Sequence, residues 1–216
     1  MIRQKVMKAN YILGIHDGHN CGATLICDGF IVASVSEERL TRRKNEVGYP
    51  QKSISEVLSI AGIDGSKITQ VVYASLFMHA RDYLTDLEPW YRVGISDQRA
   101  AENGPSSYQT VIFEQRKQER IEQVCQQIDV PSERVHFVEH HLAHLAAAYF
   151  TAPNRSKGKP VLGLTCDGAG DGLCATVSIC RDNEIHRIAE TSRHASLGKI
   201  YSRITFLMGM KPWEHE

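Results

Sequence analysis

The strongest constraint on the fold is a passage of text that occurs twice. LGIHDG at residues 13–18 returns as LGLTCDG at 162–168, and GATLICDG at 22–29 returns as CATVSICRDN at 174–183. Each copy reads as a short apolar strand ending in Asp-Gly, then a second strand, then another turn pair. Asp28-Gly29 is a favoured two-residue hairpin turn, so Phe30–Ser36 returns antiparallel as a third strand. The copies lie about 150 residues apart, far more than the tens of residues that recur in a solenoid. A duplicated domain accounts for that spacing. Chance likeness of two short strand-turn segments is the competing account.

Between the copies, periodicity predicts an α/β chain. Strands are expected over Tyr11–His16, Cys21–Cys27 and Phe30–Ser36, followed by a charged loop over Glu37–Glu46. After Pro50, residues Ile54, Val57, Leu58 and Ala61 recur at helical spacing and Gly62 suits the helix end. Thr69–Ser75 is again strand-like, Leu76–Pro105 reads as an irregular insertion loop with one short helix, and Ser106–Ile128 as a long surface helix. A strand over Val135–Val138 and a helix over His140–Phe150 complete a βββαβαβα unit. The pattern then restarts with strands over Val161–Asp167, Leu173–Cys180 and Glu184–Thr191 and a helix over Leu197–Met208. Residues 1–152 are therefore expected to form a first subdomain and 153–216 the start of a second, cut short at KPWEHE like a fragment.

A duplicated βββαβαβα unit with a nucleotide between its halves is the layout of the actin, hexokinase and heat-shock ATPase superfamily. The expected fold is thus α/β, actin-like and ribonuclease H-like. Each half would offer a glycine-containing turn whose backbone amides can face phosphate oxygens.

Composition removes other classes. Lys and Arg number 25, as do Asp and Glu, so bulk charge gives no case for nucleic acid or anionic lipid as a partner. No apolar run approaches the roughly 20 residues of a membrane span, and the N-terminus, MIRQKVMKANYILGI, lacks the parts of an export signal. The six cysteines form no CxxC pair and read as reduced, mostly buried residues of a cytoplasmic protein.

The chemistry-bearing segment is VEHHLAHLAAAYF. On a helix His140 and His144 stand at i and i+4, so both imidazoles leave one face about one turn apart. His141 points about 100° away and has another task. An arbitrary HxxxH is more often a surface pair than a ligand pair. Here the helix is otherwise apolar (Leu142, Ala143, Leu145, Ala146), so imidazoles at its start need partners. The following strand brings Asp167 to its end, where ligand sites of α/β proteins gather. A His-His-Asp set with open positions suits ferrous iron, manganese or zinc.

Four stretches, HDGHNCGATLICDGFIVASVSEERLTRRKN, EHHLAHLAAAYF, CDGAGDG and SLGKIYSRITFLMGMKPWEHE, together resemble the N-terminal half of the carbamoyltransferase family that includes nodulation-factor and antibiotic-tailoring enzymes. The resemblance implies an actin-like transfer domain followed by a YrdC-like domain. The latter makes carbamoyladenylate from carbamoyl phosphate and ATP, and the former passes the carbamoyl group to the hydroxyl of a small-molecule acceptor. It implies a divalent metal, iron foremost, on His140, His144 and Asp167, with a further Asp beyond residue 216. It places Asp17, His19 and Lys44 among the catalytic residues. The family reads His-Asp where this chain has His19-Asn20. His19 or Asp17 would take the acceptor's proton, Lys44 would steady the leaving adenylate, and Gly168, Gly170 and Asp171 would form the nucleotide turn. The competing classes are a sugar or acetate kinase of the same superfamily, which has no need of HxxxH, and a non-catalytic nucleotide-binding remnant.

Overall fold

The computed structural model describes residues 9–78, 107–153, 158–212 and 215. The chain divides into two compact units, one of residues 1–85 and 111–137, the other of 86–110 and 138–216. Most of the insertion expected at Leu76–Pro105 lies outside the described residues.

In the first unit, β1 (Tyr11–His16), β2 (Gly22–Cys27) and β3 (Phe30–Ser36) form an antiparallel meander. The β2–β3 connection is the expected Asp28-Gly29 turn, with φ of 50° and 87° at the two positions, the left-handed pair that matches the twist of a hairpin. β4 (Ile68–Tyr73) and β5 (Val135–Phe137) join parallel to β1 and to each other, giving the five-stranded order β3-β2-β1-β4-β5. The inward positions Leu13, Ile15, Leu25, Val71 and Tyr73 are at most 1% exposed. They pack with Ile54 and Val57 from α2 (Gln51–Ala61) and Val124 from α3 (Ser107–Ile128).

The stretch read as a charged loop contains a short helix, α1 (Glu37–Thr41). Five residues are too few for a periodicity signal, and Glu37 and Glu38 in the first turn suit the positive end of a helix. Glu37 is itself buried. Its carboxylate accepts the backbone amides of Lys52 (3.0 Å) and Ser53 (2.7 Å) and the Ser53 hydroxyl (2.7 Å). Those amides open α2, whose N-cap Pro50 offers no side-chain acceptor, so a distant carboxylate does the capping.

α3 also departs from a plain surface helix. Arg120 is 4% exposed. Its guanidinium meets both oxygens of Asp17 at 2.7 and 3.0 Å, reaches the Ser75 and Leu76 carbonyls, and lies 4.5 and 4.7 Å from the Tyr73 and Phe137 ring centres. An Arg stacked on aromatics and paired bidentately with a carboxylate is the form in which this charge tolerates burial.

In the second unit, α4 (His140–Thr151) packs on an antiparallel sheet of β6 (Val161–Gly170), β7 (Leu173–Arg181) and β8 (Glu184–Ser192), and α5 (Leu197–Leu207) follows. Leu145 and Tyr149 of α4 pack with Cys180 of β7. Leu162 and Leu164 of β6 and Leu197, Ile200 and Leu207 of α5 are more than half exposed. No helix among the described residues is long and apolar enough to cross a membrane.

Candidate metal centre

The expected i, i+4 pair exists, and α4 begins where it must for the pair to share a face. Glu139 is the N-cap, and its carboxylate accepts the amides of His141 (3.0 Å) and Leu142 (2.8 Å) while Arg187 of β8 pairs with it. Burial pushes this carboxyl up, but the two amides and the guanidinium outweigh it and hold it below the usual carboxylate range. The remaining first-turn amide, that of His140, donates to Asp171 Oδ2 at 2.7 Å. The helix start is thus satisfied from its own side chain and from the sheet.

His141 turns inward, as its angular offset requires. It is fully buried, and its Nδ1 lies 2.9 Å from Thr165 Oγ1, which lies 2.7 Å from Thr176 Oγ1. This ties the underside of α4 to β6 and β7 and leaves the other two histidines facing outward.

Asp167 is not at a strand end. β6 continues to Gly170, with a bulge: Cys166 pairs with Ala175 and Gly170 with Leu173, so Asp167, Gly168 and Ala169 face only Cys174. A bulge re-aims the side chains it carries, and this one turns the Asp167 carboxylate to α4. The bulge is held by α5, where Ser196 caps Lys199 N and donates its hydroxyl to the Asp167 carbonyl (3.3 Å).

The resulting triad is compact. His140 Nε2 is 2.7 Å from Asp167 Oδ2 and 3.1 Å from His144 Nε2, and His144 Nε2 is 3.5 Å from Asp167 Oδ2. Metal bonds of about 2.0–2.2 Å set neighbouring ligand atoms about 3.0 Å apart at right angles and about 3.4 Å apart at tetrahedral angles. The triangle suits either geometry. The donor set fits as well, since two ring nitrogens facing each other cannot both carry a proton along that line, whereas both can direct lone pairs at one cation. His144 and Asp167 are 55% and 39% exposed at their side chains, so one side of the triad is open. Hydrogen bonds from His140 and His144 hold the Asp167 carboxyl well below the usual carboxylate range, and the Asp167 bond draws the His144 ring upward despite burial.

The residues expected at the nucleotide turn gather here too. Gly168 lies in the bulge, where a Cβ added at Gly198 at the start of α5 would stand 3.1 Å from its Cα. Gly170 ends β6, and Asp171 forms with Gly172 a two-residue turn at φ of 47° and 89°.

The remaining three belong to the first unit. Asp17 is buried in the Arg120 pair. His19 sits on the exposed loop between β1 and β2, where its carbonyl accepts from His16 Nε2 at 3.0 Å and the Asn20 amide lies 3.3 Å from its Nδ1. Lys44 is exposed on the turn just before Glu46–Gly48. That segment pairs with the His19 loop through Cys21 N to Glu46 O (3.1 Å), Gly48 N to Gly18 O (3.2 Å) and a His19–Val47 bridge. Sequence reasoning missed Arg120, Glu139 and Arg187. An Arg in a polar helix carries no local mark of burial, and Glu is not a favoured N-cap type.

Comparison with known proteins agrees with the sequence motifs. An uncharacterised protein of Methanocaldococcus jannaschii is 30% identical over 205 residues, covering 95% of this chain and 31% of that protein. An uncharacterised protein of Synechocystis is 28% identical over 93% of this chain and 32% of its own length. Nodulation protein NolNO of Sinorhizobium fredii is 28% identical over 87% of this chain and 24% of its own length. The chain thus spans about a third or less of these curated relatives. A family described as Carbamoyltransferase N-terminus matches residues 11–216, which is nearly the whole sequence, and the chain belongs to that family.

Proposed function

We propose that the chain is the N-terminal part of the transfer domain of an O-carbamoyltransferase. In this reading carbamoyl phosphate and ATP give carbamoyladenylate on a YrdC-like domain, and an actin-like domain passes the carbamoyl group to an acceptor hydroxyl. The observation that carries the reading is the convergence of His140 Nε2, His144 Nε2 and Asp167 Oδ2 within 3.5 Å of one another, inside a chain of this family. The three-stranded antiparallel meander found in each unit and the exposed apolar residues of β6 and α5 support an actin-like fold whose second half continues over those faces.

Each residue then has a role. His140, His144 and Asp167 hold a divalent cation, ferrous iron, manganese or zinc. When bound, that cation supplies Lewis acidity towards the carbamoyl or phosphate oxygen. His19, an exposed imidazole on a braced loop, takes the acceptor's hydroxyl proton as the new O–C bond forms and the bond to the adenylate phosphate breaks. Asp17, with both oxygens engaged by Arg120, holds that loop. Lys44 neutralises charge on the departing AMP, and Gly168, Gly170 and Asp171 lie on the nucleotide turn. The test is metal content of the full-length protein, wild type against His140→Ala/His144→Ala, with carbamoyl-phosphate-dependent ATP–pyrophosphate exchange as a second assay. Stoichiometric metal in the wild type and none in the double variant is expected. Equal metal in both would overturn the ligand assignment, and absent exchange would overturn the adenylate route.

A further inference from the structure

The turn between β6 and β7 does something for α4 that a phosphate-binding turn does not require. His140 lies directly over Gly170. A Cβ at that glycine would stand 2.1 Å from both Cγ and Cδ2 of the His140 imidazole and 2.6 Å from its Nε2. These are ring atoms close to the backbone, so the imidazole could not remain where it is. The next residue, Asp171, takes the His140 backbone amide on Oδ2 at 2.7 Å. Two consecutive residues of one turn thus fix both the main chain and the ring of a single histidine. The same strand carries Asp167, three residues earlier than Gly170, on the bulge. Among the described residues, Asp167, Gly170 and Asp171 span a sequence separation of 27 to 31 from His140 and meet it through one hairpin.

We propose that Gly170 and Asp171 are positioning residues of the metal triad, Gly170 as the seat of the His140 ring and Asp171 as the anchor of its backbone. This rests on the metal reading above. The mechanism is geometric: the hairpin sets the distance between His140 Nε2 and Asp167 Oδ2, so the turn and the first two ligands move as one piece. Groups that orient ligands in this way contribute about 10- to 100-fold to metal affinity.

The probe is cobalt(II) alone, titrated into the full-length metal-free protein and followed by its visible absorption. Gly170→Ala and Asp171→Ala are expected to weaken binding about 10- to 100-fold and to change the cobalt band, because the ligand angles change. Asp171→Asn keeps an acceptor oxygen and tolerates the left-handed backbone of this position (φ 47°), so it should stay within a few-fold of wild type. Asp182→Ala is the matched control. Asp182 is also left-handed (φ 51°), also in a hairpin of this sheet, and its Oδ1 accepts the Gly158 backbone amide at 2.8 Å. It should bind cobalt as the wild type does. Wild-type affinity and spectrum in Gly170→Ala and Asp171→Ala would overturn the positioning role, as would equal weakening in Asp182→Ala, which would mark a general loss of stability. A wild-type protein that takes up no cobalt would overturn the metal reading itself, a result distinct from either.

Discussion

Arg120 and Asp17 form a buried pair whose two halves should not be equivalent when removed. Their side chains are 5% and 6% exposed. In Arg120→Met the Asp17 carboxylate stays in place without a counter-charge, and breaking a buried pair in this way costs about 3–5 kcal/mol. In Asp17→Asn the guanidinium keeps an amide oxygen, the Ser75 and Leu76 carbonyls and the two aromatic faces. Its loss is that of a charge-assisted bond, about 1.5–3 kcal/mol. In the double variant no charge is left buried, so its cost should fall at or below that of Arg120→Met alone, and the coupling should be about 2 kcal/mol. Urea unfolding of the full-length protein would measure the three differences, with amide hydrogen exchange at β1 and β4 locating the loss in the first unit. Additive costs to within about 0.5 kcal/mol would refute the reasoning, as would Asp17→Asn costing more than Arg120→Met.

Two further outcomes follow from buried groups of the first unit. Glu37→Ala should cost about 1–3 kcal/mol and speed exchange of the Lys52 and Ser53 amides, while Glu37→Gln should cost less; unchanged exchange at those amides would refute the capping role. Burial, reinforced by the Asp17 charge, raises the Tyr73 phenol above its ordinary value. A proton held more tightly in the folded state contributes stability that is complete below about pH 10, the unfolded value, and is lost as pH rises above it. Tyr73→Phe should therefore lose about 1 kcal/mol near neutrality with the hydrogen bond to the Arg120 carbonyl, yet unfold less steeply in alkali. An alkaline slope equal to the wild type's would contradict this.

Much of the fold was legible in the sequence because its signals are local. Period-two alternation, the left-handed tolerance of Asp28-Gly29 and the i, i+4 spacing of His140 and His144 depend on neighbours within a few residues. They specified the opening meander, α2, α4 and the shared face of the two histidines without any knowledge of tertiary contacts. α1 escaped because one short turn has no period to detect. The outward face of α3 was misjudged at Arg120 because its partner lies 103 positions away.

The site divides in the same manner. The sequence offered His140 and His144 on one helix face by their spacing and Asp167 on the following strand, and the family resemblance added the metal role and the Gly170-Asp171 turn. Only the tertiary structure decided that Asp167 reaches the histidines from a bulge within β6, that Asp171 anchors the backbone of His140, and that Gly170 is the floor beneath its ring. A bulge is an offset between two paired strands, and a ring lying on a glycine is a contact between elements. Neither exists until the hairpin and the helix are packed together, which is why no reading of one strand alone could supply them.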